Sequence, residues 1–414
     1  MNIRELGEKA EQYFLEIIQE TRHDFAGNAF KGALFLASRL YRRAVQTRLW
    51  MYDRRVIRFR AIGCLVVSIG NVTCGGTGKT PVVEVFARTL SRHGRKVAIL
   101  SRGYRSKDRS FFDKIARKFS SKKNEVPPRV VSDGKNLLLN SENAGDEPFM
   151  LASNLENVAV IVDKDRVKSG LYAIDEFGTD TLILDDGFQY LKLRPHINIL
   201  LVDSTNPFSN HHVLPRGLLR EPIKNIQRAD YIFLTKSDGS PKLRHLKTFL
   251  QRQNHHAEII ECCHRPKYLE EVFDRKKRLG LAELKGKKVA SISAIANPAS
   301  FNGFLSELGG NIVLERHFAD HHRYHQQEMI DFVNDAKKAG AEMIVTTEKD
   351  AVRMPRLDRR DIPVFFLRVE IDILSGQENF DECISRICFN LKPMPDLRDY
   401  RDNEPESNAG KVQE

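Results

Sequence analysis

The sequence predicts an α/β fold: a mainly parallel sheet flanked by helices, with a second, smaller α/β domain behind it and an N-terminal amphipathic helical segment ahead of it. Three observations lead there. Short runs that are predominantly apolar, at 64–69, 97–100, 158–162, 181–184, 197–202 and 231–234, alternate with helical patterns such as 82–92. Strands covered on both faces by helices carry such runs. A second alternating set starts near Lys287, with strands at 289–295, 311–315 and 343–347 and helices at 301–308 and 326–339. Finally, 414 residues exceed one ordinary core, at roughly 150 residues per domain.

In chain order, residues 1–60 read as helical. Tyr13, Phe14, Ile17 and Ile18, then Phe30, Leu34, Ala37, Leu40, Tyr41, Val45 and Leu49, recur at spacings of three and four, and Gly27 and Gly32 are expected to separate or kink two helices. Between 39 and 60 the segment carries eight arginines against one acid, Asp53, interleaved with Leu40, Tyr41, Trp50 and Tyr52. Such a helix suits a lipid interface, but from the residues alone the slightly favoured reading is a helix docked on the protein's own core with a solvated basic face. Residues 105–140 lack periodicity, are rich in Lys and Arg, and read as a basic surface excursion with one short helix. The polar tail after Pro393 reads as disordered.

Composition narrows the function. With 41% hydrophobic and 29% charged residues the chain buries enough surface to fold, so wholesale disorder is excluded. Six cysteines without a C-x-x-C pair make no disulfide framework and point to a reducing compartment. The net charge of +11 favours an anionic partner: nucleic acid, phospholipid or a phosphorylated substrate. No window approaches the run of about 18 apolar residues that a spanning helix needs. Glu5, Glu8 and Glu11 break any signal peptide, so the expectation is a protein that is cytosolic or lies on a membrane without crossing it.

The strongest chemical signal is Gly75-Gly76-Thr77-Gly78-Lys79-Thr80 between an apolar strand and a helix. Glycines let backbone N–H groups converge on phosphate oxygens, the lysine adds a point charge at the β/γ-phosphates, and the threonine hydroxyl is a Mg²⁺ ligand. Thr73 stands where the usual P-loop has its first glycine, so the motif is a deviant form. Such a loop needs an acid at the end of a neighbouring strand to hold hydrated Mg²⁺, and Asp185-Asp186 after Leu182-Ile183-Leu184 supplies it. Together the two motifs imply a nucleoside triphosphate with Mg²⁺ and leave the phosphoryl acceptor open.

The stretch from Ser68 to Pro81, Ser-Ile-Gly-Asn-Val-Thr-Cys-Gly-Gly-Thr-Gly-Lys-Thr-Pro, resembles the signature of the tetraacyldisaccharide 4′-kinases, the lipid A 4′-kinases of Gram-negative bacteria. Further matches follow in family order: Ser101-Arg102-Gly103-Tyr104, Gly145-Asp146-Glu147-Pro148, Asp185-Asp186-Gly187-Phe188-Gln189, Leu214-Pro215-Arg216-Gly217 with Leu219-Arg220-Glu221-Pro222, Asp320-His321-His322, and Thr347-Glu348-Lys349-Asp350.

The resemblance implies a two-domain P-loop kinase that transfers the γ-phosphoryl of ATP to the 4′-hydroxyl of a lipid-anchored glucosamine disaccharide 1-phosphate. It also implies a reaction at the cytoplasmic face of the inner membrane, on an anionic surface that such an enzyme would bind peripherally. It favours the lipid-interface alternative for 39–60 and divides the chain into a membrane-associated segment 1–60, an ATP-binding and catalytic domain 61–240, a connector 241–285, a C-terminal α/β domain 286–393 and a tail 394–414. By motif matching, Asp146 looks like the catalytic base, His321 its partner and Lys79 a catalytic phosphate contact. Thr73, Cys74, Gly75, Gly76, Thr77, Gly78, Lys79 and Thr80 would hold ATP. Thr80, Glu147, Asp185 and Asp186 would organise Mg²⁺, and Arg102, Tyr104, Gln189 and Arg220 would meet the lipid substrate. A carboxylate in the Asp146 role suits a sugar hydroxyl, a poor nucleophile whose proton must leave as the P–O bond forms. Without the resemblance, Asp146 reads equally well as an N-cap ahead of Pro148.

Two departures from the family stand out: Tyr190 where histidine commonly follows Gln189, and a longer basic interval after Tyr104. Thr235-Lys236-Ser237-Asp238 resembles a guanine-reading motif, which leaves a P-loop switch or metallochaperone NTPase as an alternative that nucleotide preference discriminates. A nucleic-acid ATPase is disfavoured, because neither helicase-like motifs nor a stacking aromatic array is visible. Cys262-Cys263-His264 is a poor zinc site, since adjacent thiols match one ion badly and no second ligand pair follows.

Overall fold

The N-terminal helix runs unbroken from Phe25 to Asp53 in the computed structural model, which describes residues 13, 16–18, 20, 21, 23–103, 126–320, 322–357 and 361–391. The expected break at Gly27 and Gly32 is therefore corrected: both lie inside the helix, and the chain turns before it, at Glu20, where φ is +62°. Gly27, Leu34, Ser38 and Leu49 are buried with Tyr41 and Val45 beside them, so one stripe docks on the protein and compensates for glycine's cost of about 1 kcal/mol within a helix.

The strands are β1 (Leu65–Asn71), β2 (Val97–Ser101), β3 (Arg129–Asp133), β4 (Val158–Val162), β5 (Thr181–Asp185), β6 (Ile197–Asp203), β7 (Tyr231–Thr235), β8 (Glu258–Glu271), β9 (Arg278–Gly280), β10 (Lys288–Ser293), β11 (Asn311–His317), β12 (Met343–Thr347) and β13 (Val364–Ser375). Among the described residues they form one sheet in the order β11-β10-β12-β13-β8-β7-β6-β1-β5-β2-β4-β3, with β9 on β8. Pairing is parallel from β4 through β8 and again from β11 through β13. The long antiparallel pair β8–β13 joins the two parallel stretches. Both strands were missed in the sequence, as was β3, an antiparallel edge strand within the basic excursion. Residues 104–125 of that excursion and the tail after 391 lie outside the described residues.

Strands β1, β2, β4, β5 and β7 are buried at every position, as their predominantly apolar runs predict. Helices Lys79–Arg92, Asp146–Asn154 and Gln377–Ser385 cover one face, and Phe86 packs edge-on against Phe233 and Phe380. Register then builds the site. Ile69 of β1 lies opposite Asp185 of β5, so the loop leaving β1 and the acids leaving β5 emerge side by side at the carboxyl edge of the sheet. Open α/β sheets bind ligands along that edge.

Candidate active site

The loop from Val72 to Gly78 needs glycine for two distinct reasons. Gly75 and Gly78 have φ of +116° and +75°, which L side chains rarely adopt. At Gly78 space is also closed, since an added Cβ would come 2.7 Å from Cε1 of the His264 ring. Upstream, Gly70 lets the two loops touch: its Cβ would lie 2.7 Å from the Phe188 nitrogen, and Gly187 N–H donates to the Ile69 carbonyl at 3.0 Å. The Gly-Phe of the Asp-Asp-Gly-Phe-Gln motif thus locks its turn onto β1.

Lys79 begins the helix with Nζ 3.4 Å from Asn71 Oδ1 and 3.7 Å from Asp186 Oδ1. Arg220 Nη1 donates to both carboxylate oxygens of Asp186, at 2.8 and 2.7 Å, and to Gln189 Oε1 at 3.4 Å. Gln189 Nε2 in turn donates to the Asn71 carbonyl at 3.0 Å. The turn carrying Arg220 is bound to the phosphate-loop strand, with Arg220 N–H on the Val72 carbonyl and Cys74 N–H on the Leu218 carbonyl, both at 2.7 Å. Thr73, the deviant position, bridges to Leu219 in the same ladder, a use of the backbone that needs no glycine.

The two adjacent acids are held in opposite senses. Asp185 is fully enclosed, and burial, followed by the charges of Glu147 and Asp186, pushes its pKa up to about 6. Ser101 Oγ donates to it at 2.9 Å. Burial also acts to raise Asp186, but Lys79 and Arg220 outweigh it and hold that carboxyl below its usual range. The raised pKa means that folded protein binds more protons than unfolded chain between about pH 4 and 6. Stability from Asp185 therefore falls as pH rises through that window, by up to about 3 kcal/mol. In Mg²⁺-free buffer, Asp185→Asn is expected to raise the urea midpoint at pH 8 clearly more than at pH 5. An equal change at both values would contradict the assigned burial of charge.

Asp146 is the first residue of helix Asp146–Asn154, with Gly145 as N-cap. Its carboxylate is gripped by two arginines from far along the chain, Arg353 Nε at 2.8 Å and Arg323 Nη2 at 3.1 Å. The Arg353 side chain is fully buried and also donates to Asp350 Oδ1 and to the Ala294 carbonyl, each at 3.3 Å. Glu147 follows in the first turn, close enough to raise Asp185. Arg102 is exposed and near enough to Arg166 to lower its pKa, although burial is the larger cause. Tyr104 and His321 lie outside the described residues. Thr73 to Thr80, Asp185, Asp186, Gln189 and Arg220 are therefore brought together, and Glu147 ties the Asp146 turn to them.

Tyr190, in the family's histidine position, is pinned away from solvent chemistry. Its hydroxyl donates to Asp165 Oδ1 at 3.0 Å and accepts from the Arg166 N–H at 3.0 Å, and its pKa is pushed up to about 12 by burial and by Asp165. Sequence reasoning missed Arg166, whose Nη2 donates to the Asp185 carbonyl at 2.8 Å, and Arg353. Asn71 and Ser101 sat within the quoted motifs without a role. Among the described residues, no three His, Cys, Asp or Glu side chains form a ready-made metal cage.

A family model described as tetraacyldisaccharide-1-P 4′-kinase matches residues 30–388. The chain belongs to this family. A tetraacyldisaccharide 4′-kinase of Desulfatibacillum aliphaticivorans is 36% identical over 364 residues, covering 86% of this chain and 92% of the relative. One from Halothermothrix orenii is 31% identical over 399 residues, covering 93% and 100%. Among solved structures, LpxK of Aquifex aeolicus in complex with ATP superposes with a TM-score of 0.67 at 27% identity, covering 87% of this chain and all of that one. The 4′-kinase family match encloses every motif quoted from the sequence.

Proposed function

We infer that the chain is an ATP-dependent kinase that moves the γ-phosphoryl of ATP to the 4′-hydroxyl of a tetraacyl glucosamine disaccharide 1-phosphate, forming lipid IVA in lipid A biosynthesis. The observation that carries this reading is the 4′-kinase family match over 30–388, laid on a phosphate loop whose neighbouring strand delivers Asp185 and Asp186. The test is incubation with γ-labelled ATP and a lipid disaccharide 1-phosphate in detergent micelles. A second phosphate on the lipid is expected, and ATP hydrolysis without lipid labelling would overturn the reading.

In this reading Thr73 to Thr80 wrap the triphosphate and Lys79 follows its outer phosphates. Mg²⁺ suits the donors, because it keeps waters and takes phosphate oxygens instead of requiring an all-protein cage. Thr80, Glu147, Asp185 and Asp186 are the candidates. Asp185 fits best, since burial and neighbouring acids leave it in want of a cation, whereas Asp186 is served by Lys79 and Arg220. When bound, Mg²⁺ would neutralise charge developing on the transferred and leaving phosphates.

Asp146 takes the proton of the 4′-hydroxyl, its oxygens oriented by Arg353 and Arg323. His321 partners it; support comes from Arg323, two residues on, which reaches the same carboxylate. Arg102, Tyr104, Gln189 and Arg220 are the substrate contacts, and Arg102 is free to face a sugar or its 1-phosphate because it is exposed.

The enzyme works from the cytoplasmic face of the inner membrane as a peripheral protein. None of the described helices is long and apolar enough to cross a bilayer. The helix Phe25–Asp53 instead turns an apolar face outward, with Phe25, Leu36, Leu40 and Trp50 at 92, 67, 66 and 54% exposure and Arg39, Arg42 and Arg43 alongside. Burying a leucine in lipid stabilises binding by about 1.5–3 kcal/mol, so Leu36→Asp with Leu40→Asp should weaken sedimentation with anionic vesicles by at least about a hundredfold. Activity on micellar substrate should be largely kept. Undiminished vesicle binding would reject this face as the anchor.

A further inference from the structure

The phosphate loop is held from behind by a group of side chains to which nothing above gives a role. At the end of β7, Thr235 Oγ1 donates to the Thr77 carbonyl at 2.8 Å. The next residue, Lys236, donates through Nζ to the Gly76 carbonyl at 2.9 Å and to Asp203 Oδ2 at 2.5 Å. Lys236 does so with φ at +55°, a conformation that a lysine rarely adopts. Its own carbonyl accepts from Ser204 Oγ at 2.8 Å, and Ser237 Oγ is fixed to Glu261 Oε2 at 2.8 Å. From β8, the His264 ring closes on the Cα of Gly78. Burial, and then Lys236, push the His264 pKa down to about 4, so this ring is neutral at physiological pH.

We propose that Lys236, Thr235 and His264 are positioning residues that set the affinity of the loop for ATP by fixing its peptide planes. In a trans peptide the carbonyl and the N–H point in opposite directions. Drawing the Gly76 and Thr77 carbonyls toward the β7 turn therefore aims the N–H groups of Thr77 and Gly78 the other way, where a triphosphate would lie. His264 stops the loop from sinking into the space that pull would open. Thr235-Lys236-Ser237-Asp238, which resembles a base-reading motif, thus serves the phosphate end through its first two members. The inference rests on reading residues 73–80 as the ATP site.

The test compares steady-state kinetics and calorimetric ATP binding of Lys236→Met, Lys236→Arg and Thr235→Val with the parent. Loss of a charged hydrogen bond should raise the KM and Kd for ATP by about tenfold to a hundredfold in Lys236→Met. The KM for lipid and the kcat at saturating ATP should stay within about twofold, a split that general loss of folded protein would not produce. Lys236→Arg keeps a donor in reach and should recover part of the loss. Thr235→Val, nearly isosteric, should raise the ATP constants a fewfold and keeps the proposal testable should the lysine variant not fold. Parental ATP constants in either folded variant, or a fall in kcat with ATP affinity unchanged, would overturn the buttress. Failure of the parent itself to bind ATP would instead overturn the reading of the loop.

Discussion

Asp146→Asn is expected to lower kcat by about 10²–10⁴ while ATP affinity stays nearly unchanged, because the substitution removes the proposed proton acceptor and leaves the phosphate loop untouched. The choice of asparagine follows from the structure. Arg353 is fully buried with Nε on Asp146 Oδ2, and removing one partner of a buried ion pair costs about 3–5 kcal/mol. Alanine would therefore confound chemistry with stability, whereas the amide oxygen of asparagine still accepts from one arginine. The measurement is kcat and both KM values in micelles, together with the thermal midpoint. An unchanged kcat with a lowered midpoint would return Asp146 to a purely structural ion pair between the helix Asp146–Asn154 and the segment around Arg353.

The parallel strands were legible because a strand covered on both faces is apolar at nearly every position, as in Leu65–Asn71 and Tyr231–Thr235, where the few polar residues, such as Ser68 and Thr235, are small and buried. The pair β8–β13 was not. Val364 to Leu367 is continuously apolar, but then Arg368, Glu370 and Asp372 alternate with Val369, Ile371 and Ile373. The alternation begins inside the fold, where buried Arg368 pairs with Glu84 and Glu348, and continues to half-buried Glu370 and Asp372 as the strand leaves full cover. Strand β8 changes likewise, pairing with β7 over its first residues and carrying exposed Arg265 and Lys267 further on. Local pattern reports cover and not partner, so the single sheet that these strands create had no signature in the sequence.

The site divides along the same line. Contiguous candidates were readable: the glycine loop, Lys79 and the acid pair each stand out within a few residues, and the fold brings them together. Chemistry assembled across the fold was not. Arg353 stands 207 residues from Asp146, and Lys236 stands 160 from Gly76, so only the folded chain makes either a neighbour. Tyr190 is intermediate. Its inability to become cationic was plain from the side chain, but its capture by Asp165 required the helix Arg166–Phe177 to bring that carboxylate to its hydroxyl.

Lys79→Ala should lower kcat/KM for ATP by about 10²–10³, with kcat falling as well as KM rising. The ammonium sits at the junction of Asn71 and Asp186, held by the protein itself, so in the proposed role it would meet charge developing on the outer phosphates without large reorganisation. A group of that kind stabilises the transition state more than the bound ground state, which is why kcat must move. The fold should survive, because Asp186 keeps its two bonds from Arg220. Lys79→Arg should not restore activity, since a planar fork cannot occupy the place of a compact point charge beside Asn71. The contrast with Lys236→Met is the informative part: both substitutions remove an ammonium near the same loop, but on the proposed roles only loss of Lys79 should change the rate at saturating ATP. Steady-state kinetics with ATP varied at fixed lipid separates them, and a Lys79 variant that raised KM with kcat preserved would reduce Lys79 to a contact made equally in the ground and transition states.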